Sequence, residues 1–161
     1  MAVWIPPVYD RAKTDIETAK QKIAEWIEAI TSDKEAVIED LKGCVNASDL
    51  NRIESNTKYL SDTLTALGYP TTITVKTWAR NGLPNIDDIV RIIGNVQTVI
   101  TSFYKYTAAP TLPATLLDFE QVNSVEKNLF YLKILLDFMI SVFPKCGTLK
   151  SGQVRILSLR R

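Results

Sequence analysis

The sequence contains no histidine, which removes the commonest general base and the commonest metal ligand together. Cysteine is nearly as scarce. Cys44 and Cys146 lie about a hundred residues apart, so there is no CxxC pair for zinc and no histidine to activate a thiol. Two free thiols are the expectation, with no metal and no cofactor. The six glycines are scattered at turns, and none of the phosphate-cradling, nucleophile-elbow or calcium-loop patterns occurs. Long apolar runs are missing too. The most apolar stretch, Leu132 to Phe143, is broken by Lys133, Asp137 and Ser141, well short of the ~18 residues a membrane span needs. The first residues lack the basic and long apolar regions of a signal peptide. Enzyme chemistry therefore has no visible carrier, and no enzymatic activity is expected.

What is present is a globular composition. Hydrophobic residues make up 46% and charged residues 23% of 161, close to ordinary domain values and enough for one core. The net charge of +1 hides an asymmetry. All eighteen acidic residues lie before residue 145, whereas residues 145–161 carry Lys145, Lys150, Arg155, Arg160 and Arg161. The same stretch holds Val154, Ile156, Leu157 and Leu159, more aliphatic surface than a purely solvating tail needs.

Four long helices are predicted from apolar spacing. Ile16, Ala19, Ile23, Ile27 and Ile30 mark the first, over residues 12–30. Leu50, Ile53, Thr57, Leu60, Leu64 and Leu67 mark the second, with Ser48 as its N-cap and Gly68 then Pro70 as its stop. Ile86, Ile89, Ile93, Val96, Ile100 and Phe103 mark the third, opened by Asn85. Val122, Val125, Leu129, Leu132, Leu136 and Met139 mark the fourth, over residues 118–143, closed by Pro144. A short helix is expected from Ser32 to Leu41 behind an S-x-x-E capping box. Residues 71–77 are β-branched and alternating, which reads as a short strand, as do residues 153–159. Residues 108–114, with two prolines, read as an extended connection. The fold class is thus mainly α, a bundle of four long helices with a small β element. An apolar arm, residues 1–11, precedes the bundle of residues 12–144, and a basic, β-prone arm, residues 145–161, follows it.

Helices two and four repeat each other. Leu50 to Leu60 aligns with Val122 to Leu132 at an offset of 72, in the pattern h-N-x-h-E-x-N-x-x-Y-L. It pairs Asn51 with Asn123, Glu54 with Glu126, Asn56 with Asn128 and Tyr59 with Tyr131. Helix three carries a weaker copy, with Arg91 and Asn95 opposite Arg52 and Asn56. Apolar phase alone does not reproduce polar identities, so this is a duplicated helix. The paired glutamates could suggest a carboxylate metal site, but the Glu-x-x-His pairs of such bundles are absent. Asparagine is a poor helix former, and mid-helix it commonly bonds the backbone of a neighbouring loop. These eight residues are therefore read as a structural polar network.

The order of motifs resembles a known family. Trp4-Ile-Pro-Pro-Val-Tyr-Asp-Arg11 is followed by Leu41 to Asn56, then Lys76-Thr-Trp-Ala-Arg80, the proline-rich link and Val122 to Asn128. Up to residue 152 this is similar to small proteins encoded in prophage tail and baseplate modules of Gram-positive, Clostridia-like bacteria. The resemblance implies a non-enzymatic structural component of a phage tail, baseplate or tail-fibre base, or of a tail-derived particle. It implies self-association, other tail proteins as partners, and a place in the virion after assembly in the bacterial cytoplasm. Membrane and nucleic acid are not expected partners. Trp4, Ile5, Val154, Arg155, Ile156, Leu159 and Arg160, in the two arms, are the candidate interface residues. Two alternatives stay open: a glycan-binding adhesion module using Trp78, Tyr104 and Tyr106, and a small helical regulator that touches nucleic acid through its tail.

Overall fold

A computed structural model describes residues 2–28, 41–79, 82 and 84–142. Among the described residues are four helices: α1 (Lys13–Glu28), α2 (Ala47–Ala66), α3 (Ile86–Ser102) and α4 (Phe119–Val142). The capping residues explain where they start. Asn46 accepts from the Asp49 amide while the Asp49 side chain accepts from the Asn46 amide, and Asn85 and Asp88 do the same for α3. Ser48, expected as the N-cap of α2, instead lies inside its first turn. Asn46 takes that role because only it has an acidic residue three positions on to close the box. Gly68 ends α2 with φ at 91°, a conformation open to glycine at little cost.

Only three of the helices pack together. Contacts run between α2 and α3, α2 and α4, and α3 and α4, whereas α1 contacts none of them. A mainly helical, four-helix arrangement is thus present among the described residues, with the contacts between described helices joining three of the four. The apolar stripe of α1 shows why: Ala19 is buried, but Ile23 and Ile27 are exposed. The start of α1 leans instead on the turn at Gly43, where an added Cβ would lie 2.7 Å from the Ile16 Cα. The core holds Leu50, Ile53, Leu60 and Leu64 of α2, Ile92, Val96, Val99 and Ile100 of α3, and five apolar side chains of α4 from Val122 to Leu136. Each fully buried side chain of this size contributes about 1.5–3 kcal/mol.

No β-strand occurs among the described residues, which corrects the expectation for residues 71–77. That segment is extended, but its neighbours are helices with no free backbone edge to pair with. Side chains bond its backbone instead. Residues 32–40 of the predicted short helix and the strand at 153–159 lie outside the described residues, as does Cys146; Leu41, the last residue of that predicted helix, is not helical. Cys44 is half-buried and in no disulfide among the described residues.

Candidate functional site

The three packed helices are parallel, and extended segments run back between them. Thr71 bonds Ser61 near the end of α2, and Trp78 bonds Asn51 near its beginning, so residues 71–78 run antiparallel to α2. The same segment meets α3 at Asn95 and then, through Lys76, at Asp88, so α2 and α3 begin at one end. Residues 5–11 pass from Asn56 of α2 to Asn123 of α4. Residues 110–117 pass from Asn128 to Gln121, both of α4, and send Leu112 and Leu116 into the core.

Asparagine side chains supply the hydrogen bonds that a neighbouring strand would otherwise give. Asn51 accepts from the Trp78 amide at 2.8 Å and donates to the Trp78 carbonyl at 2.9 Å. Asn56 does the same for Ile5, both bonds being 2.8 Å. Asn95 grips Thr74 at 3.4 and 2.6 Å, and Asn123 grips Arg11 at 3.3 and 2.9 Å. A carboxamide has one acceptor and donors beside it, so it satisfies both backbone groups of one extended residue. Asn128 is the exception. Its amide nitrogen donates to the carbonyls of Pro110 and Ser124, but its oxygen is buried without a partner among the described residues. Proline has no N–H to offer it.

Glutamates and arginines tie the grooves further. Glu54 of α2 pairs with Arg91 of α3 at 2.6 Å and accepts from the Trp78 indole at 3.4 Å. Glu126 of α4 occupies the matching place. It pairs with Arg52 of α2 at 2.7 Å and with Arg11 at 3.4 Å, and accepts from the Val8 amide. Asp49 binds both Arg11, at 2.7 Å, and Arg52. Burial pushes the Glu126 carboxyl above the ordinary glutamate range, against the opposing pull of Arg52, Arg11 and the Val8 amide. Burial also works against the Arg52 charge, but Glu126 and Asp49 outweigh it and raise its pKa. Removing one partner from such a buried cluster leaves an uncompensated charge, a loss of about 3–5 kcal/mol.

These contacts trace a threefold pattern of segment followed by helix. In the grooves α4/α2 and α2/α3, Asn and Glu come from one helix, and Arg and Asn from the next. In the third, α3/α4, the aligned positions are Val90, Ile93, Ser124 and Asn128, so the α3 half of the clamp is apolar and the ion pair is gone. The structure thus brings Asn51, Glu54, Asn56, Asn123, Glu126 and Asn128 onto the extended segments. Tyr59 and Tyr131 do not join the polar network: Tyr59 packs on Trp4, and Tyr131 stacks on Tyr106 with centroids 4.9 Å apart. Arg11 and Asp49 were not singled out from sequence, although a buried Glu126 facing another helix requires a cation. Of the arm candidates, Trp4 is half-buried and Ile5 exposed, while Val154, Arg155, Ile156, Leu159 and Arg160 lie outside the described residues.

An open cleft of about 370 Å³ borders this network, lined by Asp10, Arg11, Lys42, Asn46, Asp49 and Arg52 among others. Its charged groups already pair with one another. No group of three potential metal ligands occurs among the described residues, and no helix there is long and apolar enough to cross a membrane. Trp78 is buried and Tyr106 lies against Tyr131, so Trp78, Tyr104 and Tyr106 form no shared exposed platform. No family model, curated protein or solved structure matches this chain.

Proposed function

We propose that this chain is a non-enzymatic structural component of a phage tail, baseplate or tail-fibre base, or of a tail-derived particle. It acts by self-association and by contacts with other tail proteins, and resides in the virion after assembly in the bacterial cytoplasm. One observation carries the reading beyond the resemblance of its motifs. The polar side chains most suited to chemistry, Glu54, Glu126 and the paired asparagines, are all engaged in holding the chain's own extended segments. That arrangement makes a braced unit with exposed apolar residues, including Val3 and Ile5 in the N-terminal arm. Such a unit suits a particle built from repeated contacts.

The test is incorporation. A tagged chain expressed with its neighbouring genes should co-sediment with assembled particles and be seen on them by immuno-electron microscopy. Removing residues 147–161 should leave helix content and cooperative unfolding nearly unchanged but abolish incorporation. Particles that assemble normally and never contain the chain would refute the reading.

A further inference from the structure

The threefold pattern has a consequence for the C-terminal residues. In this bundle each helix is followed by a segment that returns through the next groove: residues 71–78 after α2, and residues 110–117 after α3. The groove that would receive a segment after α4 is α4/α2, and residues 5–11 already fill it. Residues 143–161 therefore follow a helix whose return groove is taken. They carry five basic and no acidic residues, with four aliphatic residues between positions 154 and 159.

A complementary surface lies at the other end of the bundle. Where α3 and α4 begin, Ile86 is 81% exposed, Val90 59% and Leu117 86%. Ile86 and Val90 are one turn apart on α3, and Val90 stands where the other two grooves place a gripping asparagine. Next to them in sequence, at the same two helix starts, Asp87, Asp118 and Glu120 are exposed and in no ion pair among the described residues. This end is apolar with an acidic rim, while the chain beyond α4 is apolar and basic. The α4/α2 groove, along which a segment after α4 would return in its own molecule, is filled by residues 5–11, which favours the surface of another copy.

Building on the structural role above, we propose that residues 145–161 of one copy dock on the Ile86–Val90–Leu117 surface of the next, joining copies head to tail. The aliphatic residues of the tail cover the exposed apolar side chains, and its cations meet the carboxylate rim. The contact is heterologous, so it closes into a ring or extends as a stack according to the rotation between copies.

Two variants test this: I86E/V90E, at exposed positions of the surface, and R155E/R160E in the tail. Sedimentation velocity of the full chain should show association that grows with concentration, and each variant alone should weaken it about tenfold or more. An equimolar mixture of the two variants retains one good tail and one good surface, so it should form dimers and nothing larger. A helical circular-dichroism spectrum confirms that each variant folds. The proposal is overturned if the full chain stays monomeric, as it would with the tail on its own surface. It is equally overturned if either variant associates like the parent, or if the mixture stays monomeric. Particle incorporation separates this from the broader reading. An I86E/V90E chain that still enters particles alongside a monomeric parent would refute the docking contact alone.

Discussion

Asn56 and Asn128 occupy equivalent positions on α2 and α4 but meet different partners. Asn56 satisfies both backbone groups of Ile5, whereas Asn128 meets a proline and leaves its own oxygen unpaired. We predict unequal losses on substitution. Asn56→Ala strands a donor and an acceptor and should cost about 2 kcal/mol, while Asn128→Ala removes an orphan along with a bond and should cost about 1 kcal/mol. Urea denaturation of both variants measures the difference, and equal losses would contradict the two-ended grip. A second prediction concerns Glu126. Its folded-state pKa lies above its ordinary value of 4.5 because of burial. The stability it contributes is therefore fully present below that value and is lost as pH rises through the folded-state pKa. Relative to Glu126→Gln, which does not titrate, the parent should lose melting temperature as pH rises from about 4 to 7. A constant gap across that range would show that the two arginines balance burial, and a parent that gains on the variant as pH rises would show that they outweigh it.

At the scale of elements, the segments and helices depend on each other unequally. The three packed helices share one core, so a cavity at Leu129 should cost about 2–5 kcal/mol and be felt throughout. By contrast, α1 has no contacts with the other described helices and is seated at its start by the turn at Gly43. Gly43→Ala would drive a methyl group into the backbone of Asp15 and Ile16, which cannot yield as a flexible side chain would. We predict that amide exchange quickens across α1 in this variant while α2, α3 and α4 keep their protection. Loss of protection in all four helices would mean that α1 is integral to the core. The apolar spacing that revealed α1 could not reveal this independence. An amphipathic stripe says that a face is suited to burial, but not which surface covers it.

The whole molecule is closed by its N-terminal arm. Residues 5–11 complete the groove between the first and last helices of the threefold pattern, and Arg11 brings the cation that Asp49 and Glu126 share with Arg52. Removing residues 2–11 should abolish the cooperative thermal transition or lower its midpoint sharply, because two carboxylates keep only one guanidinium. Circular dichroism on heating checks this, and an unchanged transition would make the arm an ornament of the bundle. The opposite outcome is expected for the tail, whose removal should leave the transition nearly intact.

Much of this was legible in the residues themselves. Helix positions followed from a 3.6-residue apolar period and from capping pairs such as Asn85 and Asp88, which are local effects acting within a few residues. The duplication of α4 on α2 was legible because polar identities recur where apolar phase does not demand them. The partners of those polar residues were not. Asn51 finds Trp78 and Glu126 finds Arg11 across 27 and 115 positions of chain, and no local pattern encodes such a distance. For the same reason the β-branched run at 71–77 read as a strand. Its extended conformation is a local preference, but whether a strand or an asparagine completes its hydrogen bonds depends on which element packs beside it. Sequence by itself determined what each segment is; only packing decided what each segment meets, because burial and hydrogen-bond closure are satisfied between elements distant along the chain.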